Sequence, residues 1–303
     1  MLARLQQLIV FGLVAAIAGW TGYVLHLGHS VWAFGGAFAI AGGYAVVLGV
    51  EFCLLENSYA KDAKNRPSTR QLITSWRDEV LIAPRVFLWR QPFRSRAIPD
   101  RPAAPGKPGR RAIVFVHGFV CNRALWNPWL TWCIEHDIAF VAVNLEPVFG
   151  SIDNYVSPIE LAVRRVEAAT GLAPILVAHS MGGLAIRAWL AKVADPDRFH
   201  RVITVASPHG GTRMARHGRT TNSLQMRPQS AWLQALARAE STPLHARFTC
   251  FWSHCDNIVF PTAGATLPGA DNRHLVATPH VAMAFHPDVF AEVLRLIEAD
   301  RPL

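Results

Sequence analysis

The first fifty residues of the chain contain almost no charged side chains. Between Arg4 and Glu51 lie 46 residues without a lysine, arginine, aspartate or glutamate. A single helix of that length would measure about 70 Å, more than twice the hydrocarbon thickness of a bilayer. The segment therefore predicts two membrane spans, Leu8–Leu27 and Val31–Val50, with a turn at 28–30 between them.

Small residues in both spans suit close packing of the two helices. Gly12 and Ala16 in the first span, and Gly35, Ala39 and Gly43 in the second, are spaced four residues apart. A cleavable signal peptide is the alternative, because residues 16–18 imitate a cleavage site. Its removal would leave the equally apolar second span, so retention of both spans is favoured.

Positive charges flank this pair of spans at its outer ends. Arg4 precedes the first span, the turn has no cation, and four cations follow the second span, namely Lys61, Lys64, Arg66 and Arg70. Because positively charged flanks stay in the cytoplasm, both ends are expected there. We predict a bacterial inner-membrane protein whose region after the spans lies in the cytoplasm.

The sequence also lacks a cysteine framework. Its five cysteines form no CxxC pair, which agrees with a reducing compartment. Two clusters, Cys133 with His136 and Cys250 with His254 and Cys255, come nearest to metal-ligand spacing, but neither has a second cluster to complete a site. We expect no metal and no other cofactor.

Basic residues are concentrated in one stretch after the spans. Of the formal net charge of +9, +7 arises between residues 85 and 111. The cations there are Arg85, Arg90, Arg94, Arg96, Arg101, Lys107, Arg110 and Arg111, and the anion is Asp100. Since this excess lies beside the membrane, anionic lipid headgroups are a better partner than nucleic acid. A solvated linker rich in proline and glycine is the alternative.

A helix is predicted between the spans and the basic stretch. Ser68 and Gln71 have the spacing of a capping box, and Pro84 is expected to end the helix. Its apolar face would contain Leu72, Trp76 and Val80. The helix could lie on the membrane or pack on the domain that follows.

The most informative motif follows an apolar run at residues 174–177. Ala178-His179-Ser180-Met181-Gly182-Gly183 stands between this run and an apolar helical pattern. Such a context is typical of a nucleophile elbow, in which small residues on either side of a serine let a strand and a helix pack closely. Ala178 stands where the usual motif has glycine. Ser180 would project above the sheet, with the N–H of Met181 at a helix N-terminus.

Further motifs precede and follow the elbow in order. The run 112–116 ends at His117-Gly118-Phe119, the run 201–206 at Ser207-Pro208-His209-Gly210-Gly211-Thr212, the run 248–253 leads to Asp256-Asn257-Ile258-Val259-Phe260-Pro261, and Thr278-Pro279-His280 comes last. Over about residues 111–299 the chain resembles the lipase and esterase branch of the α/β-hydrolases. The resemblance implies an α/β fold with a mostly parallel central sheet flanked by helices, here preceded by a transmembrane helical hairpin.

The resemblance also implies a catalytic triad of Ser180, Asp256 and His280, with the main-chain amides of Phe119 and Met181 as the oxyanion hole. A serine hydroxyl is a poor nucleophile, so His280 would take its proton and return it to the leaving group. Asp256 would orient the imidazole. Each oxyanion donor contributes about 3–4 kcal/mol.

Other titratable residues are weaker candidates. Asp271 is the alternative acid, but it lies in a loop-forming context of Gly, Pro and Asn. The remaining histidines of this region, His209, His254, His274 and His286, are interpreted as structural or exposed, with His274 at the start of the last strand pattern and His286 at the start of the final helix.

The chain is divided into three predicted parts. Residues 1–56 form the two spans, 57–110 the helix and basic linker, and 111–303 the catalytic domain, in which strands and helices alternate. Residues 213–246 interrupt the alternation and are expected to form a cap or lid over the acyl pocket. Packing of their apolar stripe, Trp232, Leu233 and Leu236, into the core is the alternative.

The sequence thus predicts a membrane-anchored serine hydrolase that cleaves carboxylic esters with apolar acyl chains through an acyl-enzyme. The partners are a lipid or acyl-ester substrate and the membrane, with no nucleic acid. An acyltransferase or thioesterase with the same triad is one alternative, and an inert membrane-tethered scaffold is another. A chain without residues 1–56 is expected to retain hydrolysis of soluble short-chain esters.

Overall fold

A parallel β-sheet lies at the centre of the protein, as seen in a computed structural model that describes residues 1–59, 66–104, 109–193, 195–240 and 242–299. Within these residues six strands pair in the order β2-β1-β3-β4-β5-β6, and each pairing is parallel. The strands are β1 (Ile113–Val116), β2 (Phe140–Ala142), β3 (Ile175–His179), β4 (Arg201–Val205), β5 (Phe248–Trp252) and β6 (Asp271–His274).

Helices cover both faces of this sheet. They are α1 (Leu2–His26), α2 (Ser30–Ser58), α3 (Thr69–Pro84), α4 (Gln91–Phe93), α5 (Asn127–Glu135), α6 (Val156–Thr170), α7 (Met181–Val193), α8 (Thr221–Gln225), α9 (Ala231–Ala239), α10 (Thr242–His245), α11 (His280–Met283) and α12 (Pro287–Ala299). Because side chains alternate along a strand, Val114 and Val116 pack towards α6 and α7, whereas Ile113 and Phe115 pack towards α5 and α12. The parallel sheet with flanking helices confirms the predicted fold class.

One strand differs from the sequence prediction. Each of the four apolar runs contains a strand, but β6 consists of polar residues at the edge of the sheet. Asp271 therefore begins a strand instead of lying in a loop, and His274 ends that strand instead of starting one. Since the period-2 signal needs one buried face, a mostly exposed edge strand gave no pattern to detect.

The two N-terminal helices α1 and α2 are long and apolar enough to cross a membrane. Their predicted packing stripe is wrong, because a Cβ atom at Gly12, Gly35 or Gly43 would meet nothing within 4 Å. The close approach instead brings the indole of Trp20 onto Gly36, where a Cβ would lie 2.0 Å from the indole nitrogen. The two helices thus approach each other where the Trp20 ring of α1 packs on Gly36 of α2, and the predicted small residues do not form the contact.

The C-terminal end of α2 is part of the folded domain. Phe52, Leu55 and Tyr59 are buried in one cluster with Leu72, Cys255 and Phe260. The hydroxyl of Tyr59 donates a hydrogen bond of 3.0 Å to the carbonyl of His254. Helix α2 continues past residue 56 to Ser58 and joins the loop that follows β5.

Helix α3 begins with the predicted capping box, in which Ser68 and Gln71 each accept the other's main-chain N–H. Pro84 is the last residue of α3, as predicted, but the helical path continues, because a π-helical turn over 85–90 leads directly into α4. Such a turn accommodates the main-chain disruption that a proline causes.

The buried face of α3 also differs from the prediction. It contains Leu72, Ser75, Glu79 and Ala83, whereas Trp76 is partly buried beside it. Helix α3 contacts α2 and α11, so it packs on the domain.

Residues 213–246 pack into the core. Trp232 packs against the cluster that contains Leu233, Leu236 and residues of α7. The buried Arg187 of α7 makes a two-pronged ion pair with Glu240, at 2.8 and 2.6 Å. The core alternative describes this insertion better than the lid.

Four residues used in the sequence predictions lie outside the described part of the chain. They are Lys61 and Lys64 after the second span, Lys107 of the basic stretch, and Ala194 at the end of the apolar helical pattern that follows Ser180.

The shared cluster at the end of α2 gives a test of stability. We expect Leu55→Ala to lower the free energy of unfolding by about 2–5 kcal/mol, because Leu55 is fully buried. Leu54→Ala is the matched control, since Leu54 is 36% exposed. Denaturant unfolding of the detergent-solubilised protein, followed by tryptophan fluorescence, measures both, and equal losses would contradict a shared core.

Candidate active site

Ser180 lies in the bend between β3 and α7. Its φ angle is +55°, in the left-handed region that residues other than glycine rarely adopt. The bend needs glycine at position 182, where a Cβ atom would lie 2.4 Å from the carbonyl oxygen of Val116. Ala178 is fully buried on the strand side. The local sequence therefore produces a strained turn that exposes the serine hydroxyl at the carboxyl edge of the sheet.

The structure brings together the three residues of the predicted triad. Nε2 of His280 lies 3.1 Å from the Ser180 hydroxyl, and Nδ1 of His280 lies 2.9 and 3.0 Å from the two carboxylate oxygens of Asp256. Asp256 also accepts the main-chain N–H groups of Ile258 and Val259, at 2.9 and 2.8 Å. With Nδ1–H donating to Asp256, Nε2 is free to accept the serine proton.

Burial and charge act in opposite directions on His280. Burial disfavours the imidazolium, but the negative charge of Asp256 and the hydrogen bond to it outweigh burial, so the pKa of His280 lies above its ordinary value. The imidazole can therefore hold a proton while a substrate carbonyl is attacked.

The loop that carries Phe119 is held by His117. Nδ1–H of His117 donates to the carbonyl of Gly118 at 2.9 Å, and Nε2 accepts the N–H of Leu145 at 3.1 Å. Burial lowers the pKa of His117 to about 4, so the ring is neutral and keeps this pair of bonds. A Cβ at Gly118 would lie 2.7 Å from Cβ of Ser180, which shows how closely the loop approaches the serine.

Two main-chain amides are available beside Ser180. In the described part of the chain, the N–H groups of Phe119 and Met181 donate to no acceptor. Met181 is the first residue of α7, where the helix dipole favours negative charge. This is the arrangement that an oxyanion hole requires.

The other titratable residues that the sequence offered as candidates have different partners. Asp271 is exposed and pairs with Arg273. His209 is bonded to Thr204 at 2.9 Å, His254 stacks on His274, and His286 precedes α12. Among the described residues, no group of three or more His, Cys, Asp or Glu could hold a metal ion.

A cavity of about 500 Å³ opens at Ser180 and His280. Most of its apolar lining comes from three segments, which are α2 (Tyr44, Val47, Leu48), the end of α3 with the π-helical turn (Ala83, Pro84, Phe87, Leu88) and the loop of Phe119 (Phe119, Val120, Cys121). Among the described residues of 213–246, none lines this cavity, and the apolar stripe of that insertion packs against α7, which is the core packing that the sequence left as the alternative to a lid. Burial raises the pKa of the Cys121 thiol to about 12, so this thiol is a poor nucleophile.

A polar chain connects α2 to the catalytic histidine. Glu51 accepts the side-chain amide of Asn257 at 2.6 Å. The amide oxygen of Asn257 in turn accepts the main-chain N–H of His280 at 3.2 Å. Neither residue was predicted as part of the site, although Glu51 is the first charge after the apolar N-terminal segment.

A second carboxylate, Glu79 of α3, is hydrogen-bonded to the main chain of α11, directly after His280. It is fully buried and accepts the N–H of Val281 at 2.9 Å and that of Ala282 at 3.3 Å. On the other side, His179 donates Nε2–H to the carbonyl of His280 at 3.0 Å. Burial raises the pKa of Glu79 to about 7, against the effect of these N–H donors and of His280. The sequence feature that could have indicated a role for Glu79 is a single carboxylate on the buried face of a predicted helix.

Comparisons with known proteins agree with the α/β-hydrolase fold. A family model described as alpha/beta hydrolase fold matches residues 150–282, which contain all three triad residues. A lipase of Bacillus licheniformis in its mature form has a TM-score of 0.56 at 17% identity, over 63% of this chain and 93% of that one. Lipase B of Aspergillus fumigatus has a TM-score of 0.59 at 18% identity, over 68% of this chain and 56% of that one. Among curated proteins, none matches the sequence.

Glu79 gives a pH-dependent test. The negative charge of Glu79 raises the pKa of His280, as do those of Asp256 and Glu51, so Glu79→Gln should lower that pKa. The acidic limb of kcat/KM for a soluble ester should then move to lower pH, since a base is active only when deprotonated. We also expect kcat to fall about tenfold, which corresponds to about 1.4 kcal/mol, because the loop loses one acceptor.

Asp78→Asn is the matched control, because this adjacent carboxylate is exposed and pairs with Arg77. The control should change neither the limb nor kcat. If the acidic limb of kcat/KM stays at the same pH in Glu79→Gln while kcat falls, Glu79 has no electrostatic effect on His280.

Proposed function

The chain has the α/β-hydrolase fold, and we propose that it is a membrane-anchored serine hydrolase that cleaves carboxylic esters with apolar acyl chains. The observation that carries this proposal is the buried Ser180, His280 and Asp256 chain of hydrogen bonds at the end of an apolar cavity. The two similar structures reported above are lipases by name, which supports an ester substrate.

The proposed reaction follows from the site. The Ser180 hydroxyl attacks the ester carbonyl carbon while its proton passes to Nε2 of His280. The oxyanion that forms is stabilised by the amides of Phe119 and Met181. His280 then gives the proton to the departing alkoxide, which leaves as an alcohol. Water attacks the acyl-enzyme in the same way, and the acid and free Ser180 are released.

Membrane anchoring by α1 and α2 is supported by their length and by their exposed apolar surface. Large apolar side chains of both helices are exposed, among them Leu8, Phe11, Val31, Trp32 and Phe38. Soluble proteins rarely expose so continuous an apolar surface. This surface suits the hydrocarbon interior of a bilayer.

Part of the basic stretch is suited to anionic headgroups. Arg4 at the start of α1 lines a cavity of about 930 Å³ together with Arg94 and Arg96. Other cations of the stretch bind the protein itself, since Arg101 pairs with Asp137 at 2.6 Å. The proposed headgroup contact therefore involves the arginines beside the N-terminus of α1.

The triad is tested by substitution. We expect Ser180→Ala to abolish labelling by a fluorophosphonate and to reduce ester hydrolysis by about 10⁴-fold or more, with a loss of similar size for His280→Ala, because triad residues act as a unit. Asp256→Asn should also reduce the rate of ester hydrolysis strongly. Turnover of p-nitrophenyl esters, with and without an alcohol acceptor, measures the loss and separates hydrolase from acyltransferase.

Asp271→Asn and His286→Ala are the controls for that series and should be close to wild type. Labelling that persists in folded Ser180→Ala would contradict the proposed nucleophile. A wild-type protein that neither reacts with the probe nor hydrolyses esters would favour the inert scaffold.

Topology is tested separately. We expect the protein to remain with membranes in high salt, because salt screens the attraction of arginines for headgroups but does not expel two apolar helices. Reporter fusions at the C-terminus should report a cytoplasmic position. A C-terminus outside the cytoplasm would overturn the orientation.

A further inference from the structure

We infer that helix α2 is a wall of the acyl-binding site, and that the acyl chain of a membrane lipid reaches Ser180 from the bilayer through the space between α2 and residues 83–88. This inference rests on the proposed function and specifies its substrate as a long-chain acyl ester of a membrane lipid.

One face of α2 lines the catalytic cavity. Tyr44, Val47, Leu48 and Glu51 have the spacing i, i+3, i+4 and i+7, which places them on the same side of a helix. From Tyr44 to Glu51 this face extends about 10 Å along the helix axis. The first three lie within the predicted span Val31–Val50, so the cavity reaches the depth of the apolar segment.

The opposite wall is fixed next to α2 by side-chain hydrogen bonds. The hydroxyl of Tyr44 donates to the carbonyl of Val80 at 3.0 Å, and the indole N–H of Trp76 donates to the carbonyl of Ala45 at 3.0 Å. These bonds hold α3 alongside the middle of α2. The end of α3 and the π-helical turn then present Ala83 and Phe87 to the cavity.

The rim of the cavity is apolar and exposed. Val47 lines the cavity although it is 61% exposed, so the cavity wall continues onto the outer surface of α2. Leu81 and Trp89 on the facing segment are also exposed. Tryptophan at this position suits the interface between hydrocarbon and headgroups. An acyl chain leaving the bilayer would meet the exposed apolar side chains of Val47, Leu81 and Trp89 at this rim.

Polarity changes along the cavity in the direction that a lipid ester requires. Ser180, His280 and Asn257 lie with Glu51 at the polar end, and Tyr44 and Leu48 lie at the apolar end. A lipid whose ester group reaches Ser180 would keep its acyl chain against α2. The cavity volume of about 500 Å³ lies within the range of pockets that enclose small ligands.

The same contacts revise the expectation for a chain without residues 1–56. Such a chain would lose one wall of the cavity, the bond from Glu51 to Asn257 and the buried Phe52 and Leu55. Hydrolysis of short-chain esters is therefore not expected to survive this deletion, and the full chain is the form to test.

The first experiment uses a bulky substitution in the wall. In the full-length protein in detergent, Leu48→Trp should reduce the ratio of kcat/KM for a hexadecanoyl ester to that for an acetyl ester at least tenfold, because the indole occupies the apolar end. Val46→Trp is the matched control, since Val46 is 70% exposed on α2 and does not line the cavity. Its ratio should equal that of the wild type. Active-site titration with a fluorophosphonate corrects each rate for the folded fraction.

The second experiment locates the chain directly. A fluorophosphonate with a long alkyl chain and a terminal diazirine is added to the protein in phospholipid vesicles. Attack by the Ser180 oxygen on phosphorus expels fluoride, His280 takes the proton, and the chain is then fixed at the site. Irradiation should cross-link the diazirine to residues 44–48 or 83–88, as identified by mass spectrometry of the peptides.

The outcomes distinguish the two proposals. Labelled Ser180 with cross-links in residues 213–246, or an unchanged chain-length ratio in Leu48→Trp, would overturn the role of α2 and leave the hydrolase intact. Failure to label Ser180 at all would overturn the proposed function, and the inference about α2 with it.

Discussion

The strained bend at Ser180 is the constraint on which the rest of the site depends. A serine with a φ angle of +55° persists only because its surroundings leave the main chain no other path. Gly182 allows the start of α7 to pass against the carbonyl of Val116, and Gly118 allows the oxyanion loop to lie against the serine. The bend therefore fixes the hydroxyl, the amide of Met181 and the loop of Phe119 with respect to one another.

The histidine is positioned by a different set of contacts. Its side chain is oriented by Asp256, but its main chain is held by Asn257, His179 and, one residue on, Glu79. Two of the carboxylates behind this arrangement, Glu51 and Glu79, come from helices that precede the sheet in the sequence. Because a buried carboxylate is costly unless it is hydrogen-bonded, their bonds to the catalytic loops constrain where α2 and α3 can lie.

The sequence was sufficient for the elements that carry strong local patterns. The apolar runs of β1, β3, β4 and β5, the elbow around Ser180 and the capping box at Ser68 each combine a residue type with a spacing that few other structures need. Contacts between distant segments had no such pattern. Nothing local distinguishes Glu79 as a partner of Val281, or the face of α2 at Leu48 as a wall of the cavity, because each depends on where another segment lies.

Two expectations from the sequence differ from the described packing for the same reason. The insertion 213–246 was expected to cover the cavity because its position in the chain suits a lid, yet its tryptophan and leucines found partners in the core. The small residues of α1 and α2 were expected to meet, yet the Trp20 ring occupies the space at Gly36. In both cases composition was compatible with two arrangements, and packing decided between them.

The two sides of helix α2 have different surroundings. Residues on one side, such as Val46, are exposed as a lipid-facing helix would be, and residues on the other, such as Leu55 and Glu51, are bound to the catalytic loops. A simple tether needs only length and hydrophobicity, so unrelated spans can replace one another in it. A foreign span of equal length and hydrophobicity in place of α2 would not supply the residues that line the cavity at Ser180 and His280. The proposed anchor is therefore not exchangeable for another apolar helix.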